Sequence, residues 1–313
     1  VPAKNNELVL KRIYDAPVKA VWDAWADPKQ AAQWWGPRGW WIETQSKDLK
    51  AGGKWKYMMY GPNGEAFENV TTYHVVEPLA RLEYDHGGSE DRPPLFKVRV
   101  TFKEVGGKTH MEMAMILDSP EAMKETKKRI KEHSGNSTWD RLAEYLAGEK
   151  PKFVINRSFH APIAKMYDMW TKSEHISKWV APTGFTMAFI RADVRVGGRS
   201  FYKMTNGKDV TMYGSTTYRE FTPVTRVVYD QDFRDQDDKI SRHPFAPLWP
   251  ESMTTTVALT DEGDGETRVT LEWTPGAGSS KEEIAEFMKQ RAGMTAGWTG
   301  SFDKLEEALD SKL

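Results

Sequence analysis

A chain of 313 residues with 39% hydrophobic and 28% charged residues has the balance of a soluble globular protein. Its formal net charge of −1 gives no long-range field to recruit nucleic acid or an anionic membrane, and no apolar run approaches the ~20 residues that span a bilayer. The absence of cysteine excludes disulfides, thiolate catalysis and cysteine-ligated zinc, and the cytoplasm is the expected compartment.

Residues 7–15 alternate polar and apolar, as a half-buried strand does. Ala16-Pro17 ends that strand and opens a helix that puts Val21, Trp22 and Trp25 on one face. Asp27-Pro28 starts a second short helix carrying Trp34 and Trp35, which Gly36-Pro37 stops. From residue 40 to 117 the pattern has period two and is broken by turn signals such as Gly52-Gly53, Pro62-Asn63-Gly64 and Gly106-Gly107. About six strands in hairpin succession follow from it. Ser119-Pro120-Glu121 opens a closing helix that runs, with an interruption, to about Leu146.

The chain then repeats itself. Arg12, Ala16-Pro17, Asp23, Trp25, Trp34, Gly52-Gly53, Tyr57, Met59, Thr71-Thr72-Tyr73, Pro78 and Arg81 recur 145 positions on. Their counterparts are Arg157, Ala161-Pro162, Asp168, Trp170, Trp179, Gly197-Gly198, Tyr202, Met204, Thr216-Thr217-Tyr218, Pro223 and Arg226. The second half is read as a strand over 152–160, helices over 162–180, strands from about 184 to 275, and one helix from about Ser280 to Leu309. Two domains, 1–148 and 149–313, are each α+β, with one antiparallel sheet of six to seven strands curled around a long C-terminal helix. Arg81 and Arg226 are expected to pair with Asp85 and Asp230.

The segments KRIYDAPVKAVWDAWADPKQAAQWWGP and NRSFHAPIAKMYDMWTKSEHISKWVAP resemble the opening of START-like, Bet v 1-like (SRPBCC) proteins. The nearer resemblance is to the group named after the C-terminal domain of the Hsp90 ATPase activator. It implies a helix-grip fold with a cavity between the sheet and the last helix, and relatives that bind lipids, sterols or polyketides. The copies diverge where Asp15 gives way to His160 and Trp35 to Val180. The resemblance's Gly-Trp in the last helix is Gly297-Trp298 in the second copy, whereas Gly135-Asn136 stands in the first. The second copy also carries a longer insert, about Phe233 to Pro250.

Strand alternation turns Trp55, Tyr57 and Met59 inward, with Ser200, Tyr202 and Met204 as their counterparts. Met113 and Met115 face inward from the seventh strand, matched by Leu271 and Trp273. On the last helix, Phe287, Met288, Arg291, Met294 and Trp298 fall near one face. Methionine and aromatic side chains make an adaptable apolar lining. Any one of them is more readily core filler, but together with the implied cavity they read as a pocket. Trp249 joins the lining from the insert.

The leading expectation is therefore the binding of a small hydrophobic molecule, lipid-, polyketide- or flavonoid-like, with the second domain favoured. The alternative is a cofactor-free hydrolase or cyclase acting on an aromatic or polyketide-like substrate in the same cavity, in which Tyr202, Arg291 and His243 polarise a carbonyl or carry a proton. No cofactor is expected. The seven histidines, among them His133, His160 and His243, lack metal-ligand spacing, so no metal site is expected either. A chaperone partner is not favoured, because both halves are copies of one module.

Overall fold

A computed structural model of the chain describes residues 6–89, 91–132 and 137–310, so His133 and Gly135-Asn136 lie outside the described residues. The chain divides into two compact units, Val1–Glu149 and Lys150–Leu313. The first runs β1 (Glu7–Tyr14), α1 (Val18–Ala26), α2 (Pro28–Trp34), β2 (Trp41–Lys47), β3 (Lys54–Tyr60), β4 (Ala66–Glu77), β5 (Arg81–His86), β6 (Phe96–Val105), β7 (Lys108–Ile116), α3 (Pro120–Glu132) and α4 (Ser137–Leu146). The second runs β8 (Phe153–Phe159), α5 (Ile163–Thr171), α6 (Ser173–Trp179), β9 (Thr186–Arg191), β10 (Arg199–Thr205), β11 (Thr211–Thr222), β12 (Arg226–Arg234), β13 (Ser252–Gly263), β14 (Glu266–Pro275), α7 (Lys281–Lys289) and α8 (Arg291–Asp310). Each unit holds one antiparallel seven-stranded sheet, in the order β1-β7-β6-β5-β4-β3-β2 and β8-β14-β13-β12-β11-β10-β9.

Sequence alternation decides which sheet face becomes core. In β6, Val98, Val100 and Phe102 are buried; in β7, Met111, Met113 and Met115 are. In β14, Val269 and Leu271 have no exposed surface. The helices of each unit pack their apolar side chains onto that face.

The duplication extends to individual hydrogen bonds. The Trp34 indole N–H donates to Ala24 O at 3.1 Å, and Trp179 does the same to Met169 O at 3.0 Å. The Thr109 hydroxyl donates to Ala16 O, and Thr267 to Ala161 O, both at 2.7 Å. Gly53 and Gly198 close equivalent turns. A Cβ there would lie 2.2 Å from Asp48 O and 2.3 Å from Asp193 O, a clash with backbone that cannot relax, so no other residue fits.

One cation per unit fixes the terminal helix to the rest. Arg141 in α4 donates to the carbonyls of Gly36, Pro37 and Trp40 at 2.7, 3.0 and 2.9 Å. Lys304 in α8 donates to Ala181, Pro182 and Phe185 at 3.0, 2.9 and 2.6 Å. These are the same three loop positions in each copy. Hydrogen bonds from a charged donor are about twice as strong as neutral ones, so this clamp holds each terminal helix to the loop that follows the second helix.

Two expectations are corrected. The helix expected from about Ser280 to Leu309 is two helices, broken at Gln290, whose N–H is shared between Glu286 O and Phe287 O. Arg81 pairs with Glu77 at 2.8 Å and Arg226 with Glu220 at 3.1 Å, whereas Asp85 meets His74 and Asp230 meets Arg219. Four residues along a strand is about 13 Å, too far for the expected pairs, and neighbouring strands supply the partners instead.

Lys47 at the end of β2 is an isolated cost in unit 1. Its ammonium donates to Trp25 O at 2.6 Å and lies 3.7 Å from the centre of the Trp55 ring. Burial lowers its pKa to about 7, against an upward pull from Asp27. Between pH 7 and about 10 the unfolded chain holds this proton and the folded chain does not, so stability rises with pH across that window. Lys47→Met should therefore raise the urea midpoint of the full chain at pH 7, with the gain shrinking by pH 9.5. A gain independent of pH would show that the amine carries no such penalty.

Candidate functional site

In unit 2 a cavity of about 240 Å³ lies between the β10–β14 part of the sheet, α8 and the insert after β12. A side chamber of about 30 Å³ adjoins it, sharing Val180, Tyr202, Met204 and Gln231. Of the side chains expected from sequence, Tyr202, Met204, His243, Trp249, Trp273, Met294 and Trp298 all line the main cavity. Strand alternation delivers Tyr202 and Met204 from β10 and Trp273 from β14. Helical spacing delivers Met294 and Trp298 from α8 at i and i+4. The insert, longer than the loop between β5 and β6 in unit 1, supplies His243 and Trp249.

Two expected residues stand elsewhere. Met288 is 38% exposed and Arg291 donates to the carbonyl of Lys152; neither lines the cavity. The cause is the break at Gln290: α7 turns Phe287 inward and leaves Met288 on its outer side, so the face no longer continues across the two helices. His160 is exposed on the surface.

The polar end of the cavity is a short chain. The Tyr202 hydroxyl stands beside Gln231, and the Gln231 carbonyl accepts from the Thr255 hydroxyl at 2.9 Å. Burial pushes the Tyr202 pKa up to about 12, so the phenol is neutral at pH 7. Burial also lowers the His243 pKa, and its Nδ1 accepts the Phe245 N–H at 3.1 Å. Gly214 makes room for the tyrosine: a Cβ there would fall 2.5 Å from the Tyr202 hydroxyl oxygen. Alternation did not reveal Gln231, Thr255 or Gly214, because a polar or small residue on a strand carries no apolar signal.

In unit 1 one equivalent position holds a packed indole that unit 2 lacks. Trp35 stands where unit 2 has Val180. Its ring centre lies 5.5 Å from Trp25, 5.0 Å from Trp55, 6.1 Å from Trp139 and 6.4 Å from Tyr57, and its N–H donates to the Tyr57 hydroxyl at 3.1 Å. Trp55, Tyr57, Met113 and Met115, expected from sequence as ligand contacts, are buried in this same core cluster, with Met59 half-buried beside it. Among the described residues, no three histidine, aspartate or glutamate side chains are grouped to hold a metal ion. No helix of the described residues is long and apolar enough to cross a membrane.

The family model of Activator of Hsp90 ATPase homolog 1-like proteins matches residues 15–147 and again 160–310. The chain belongs to that family. It carries the family module twice, each copy an α+β unit. Among solved structures, a protein from Nitrosomonas europaea is 24% identical, with 48% of this chain covering 100% of that one at a TM-score of 0.43. A protein from Arthrobacter aurescens is 25% identical, with 46% and 87% coverage and a TM-score of 0.42. The di-domain ARO/CYC BexL from the BE-7585A biosynthetic pathway is 12% identical over 98% of this chain and 99% of its own, with a TM-score of 0.37. No curated protein matches.

Within this family member, Gly297 sits inside α8 on the cavity wall, and a Cβ there would meet nothing within 4 Å. Glycine in a helix interior costs about 0.5–1 kcal/mol relative to alanine. Gly297→Ala should therefore raise the unfolding free energy by about that amount, measured by urea unfolding. A loss of stability would mean that the space beside Gly297 is filled.

Proposed function

We propose that unit 2 binds a small, largely apolar aromatic molecule in the cavity between its sheet and α8, and that unit 1 is a packed companion. The observation that carries this reading is the exchange of Trp35 for Val180 at equivalent positions. One copy fills this position with an indole that six other rings surround; the other leaves about 240 Å³ lined by indoles and methionines. Removing guest surface from water supplies affinity at roughly 25 cal/mol per Å². Gln231 pulls the Tyr202 pKa down, as an amide N–H directed at the phenol oxygen does, which leaves the tyrosine proton for an acceptor on the guest. A ring system bearing a carbonyl or hydroxyl fits this arrangement.

A catalytic reading stands second. Tyr202, neutral at pH 7, can donate to a developing oxyanion, and His243, whose Nδ1 accepts the Phe245 N–H so that Nε2 carries the proton, can act only as a second donor. Turnover lost in Tyr202→Phe with guest affinity retained would favour it. Arg291 is withdrawn from this scheme, because its guanidinium is committed to a backbone carbonyl.

Val180→Trp should close the cavity by copying unit 1. Titrated with flavonoid, sterol and fatty-acid panels and followed by tryptophan emission and melting temperature, the wild type should respond to an aromatic member. The variant should lose at least about tenfold in affinity, equal to 1.4 kcal/mol. No response from the wild type to any member, or an unchanged response in Val180→Trp, contradicts the proposal.

A further inference from the structure

The cavity's charge pattern is one-sided. No lysine or arginine lines it among the described residues, whereas two carboxylates, Asp232 and Glu251, do. Asp232 is spoken for: Arg234 grips both its oxygens at 2.6 and 2.7 Å, and the Ser215 hydroxyl donates to it at 2.6 Å. Glu251 is not so held. Its carboxylate is 48% exposed and 3.4 Å from Arg242, and Arg242 is also engaged by Glu283. One guanidinium thus serves two carboxylates, and the less tightly held of them, Glu251, is the one that lines the cavity.

The walls beside Glu251 are aromatic. Trp249, Trp273 and Trp298 stand in sequence, with centres 6.4 and 5.3 Å apart and planes at 69° and 74°. They form a corner of crossed rings. The indole nitrogens of Trp273 and Trp298 have no accessible surface, so these walls offer the cavity ring carbon and not hydrogen-bond donors. His243, on the same wall, adds no positive charge at neutral pH, since burial disfavours its charged form. A corner of indole faces next to an underpaired carboxylate attracts a cation twice over, through the ring quadrupoles and through the charge. It repels a carboxylate guest.

Resting on the reading of this cavity as a ligand site, we propose that its guest is an organic cation, an aromatic or hydrophobic amine whose ammonium lies between the Trp249–Trp273–Trp298 corner and Glu251. The apolar part fills the space toward Met294 and Val180. This narrows the guest class against fatty acids and aromatic acids, which the apolar lining alone would accept.

The test is calorimetric titration of the full chain with three probes of one skeleton: 2-naphthylmethylammonium, 2-naphthylmethanol and 2-naphthoate. The ammonium should bind about tenfold more tightly than the alcohol, with the carboxylate weakest. Glu251→Gln should erase most of the ammonium's advantage and leave the alcohol's affinity unchanged. If the alcohol or naphthoate binds as tightly as the ammonium, or if Glu251→Gln weakens all three alike, the cation inference fails while the cavity reading stands. If none of the three binds, both fail.

Discussion

The distance between each sheet and its terminal helix is the constraint on which everything else depends. Arg141 and Lys304 help to hold it, each by donating to three carbonyls of the loop that follows the second helix of its unit, together with the Arg38–Glu144 pair in unit 1 and the Arg157–Asp303 pair in unit 2. With the helix fixed at that remove, the interior has a volume that side chains either occupy or leave. Protein interiors pack like organic crystals, so an unfilled volume of this size is an exception that needs a reason.

The two copies answer the constraint differently. Unit 1 spends its large residues on the interior, with Trp25, Trp34, Trp35, Trp55 and Trp139 in mutual contact. Unit 2 has Val180 in place of Trp35 and a helix glycine, Gly297, beside the resulting space. Trp249, Trp273 and Trp298 line the hollow, while Trp170 and Trp179 stay in the core. Duplication makes the comparison internal: the same scaffold, with the same clamp and the same turn glycines, supports both outcomes. A filled copy is free to carry stability, while a hollow one accepts the cost of lost packing contacts.

Much of this was legible in the residues. The repeat, the strand alternation and the proline and glycine punctuation gave both units and their sheets, because those signals are local and periodic. The lining residues Tyr202, Met204, Trp273, Met294 and Trp298 followed from the same periodicities. Met288 and Arg291 did not, because a helix break is set by backbone hydrogen bonding at Gln290 and leaves no glycine or proline to mark it. Gln231 and Thr255 were invisible for a different reason: their role comes from a hydrogen bond between neighbouring strands, and register between strands is not written in either strand alone. The pairing of Arg81 and Arg226 failed on the same ground.

The central claim is that unit 2 is hollow where unit 1 is solid. Crystals of the chain pressurised with xenon test it without any assumption about the natural guest, since the gas enters apolar cavities and stays out of packed cores. The account predicts xenon density between α8 and the sheet of unit 2, within contact of Met294 and Trp298, and none around Trp35. Density absent from both units, or present in both alike, would contradict it.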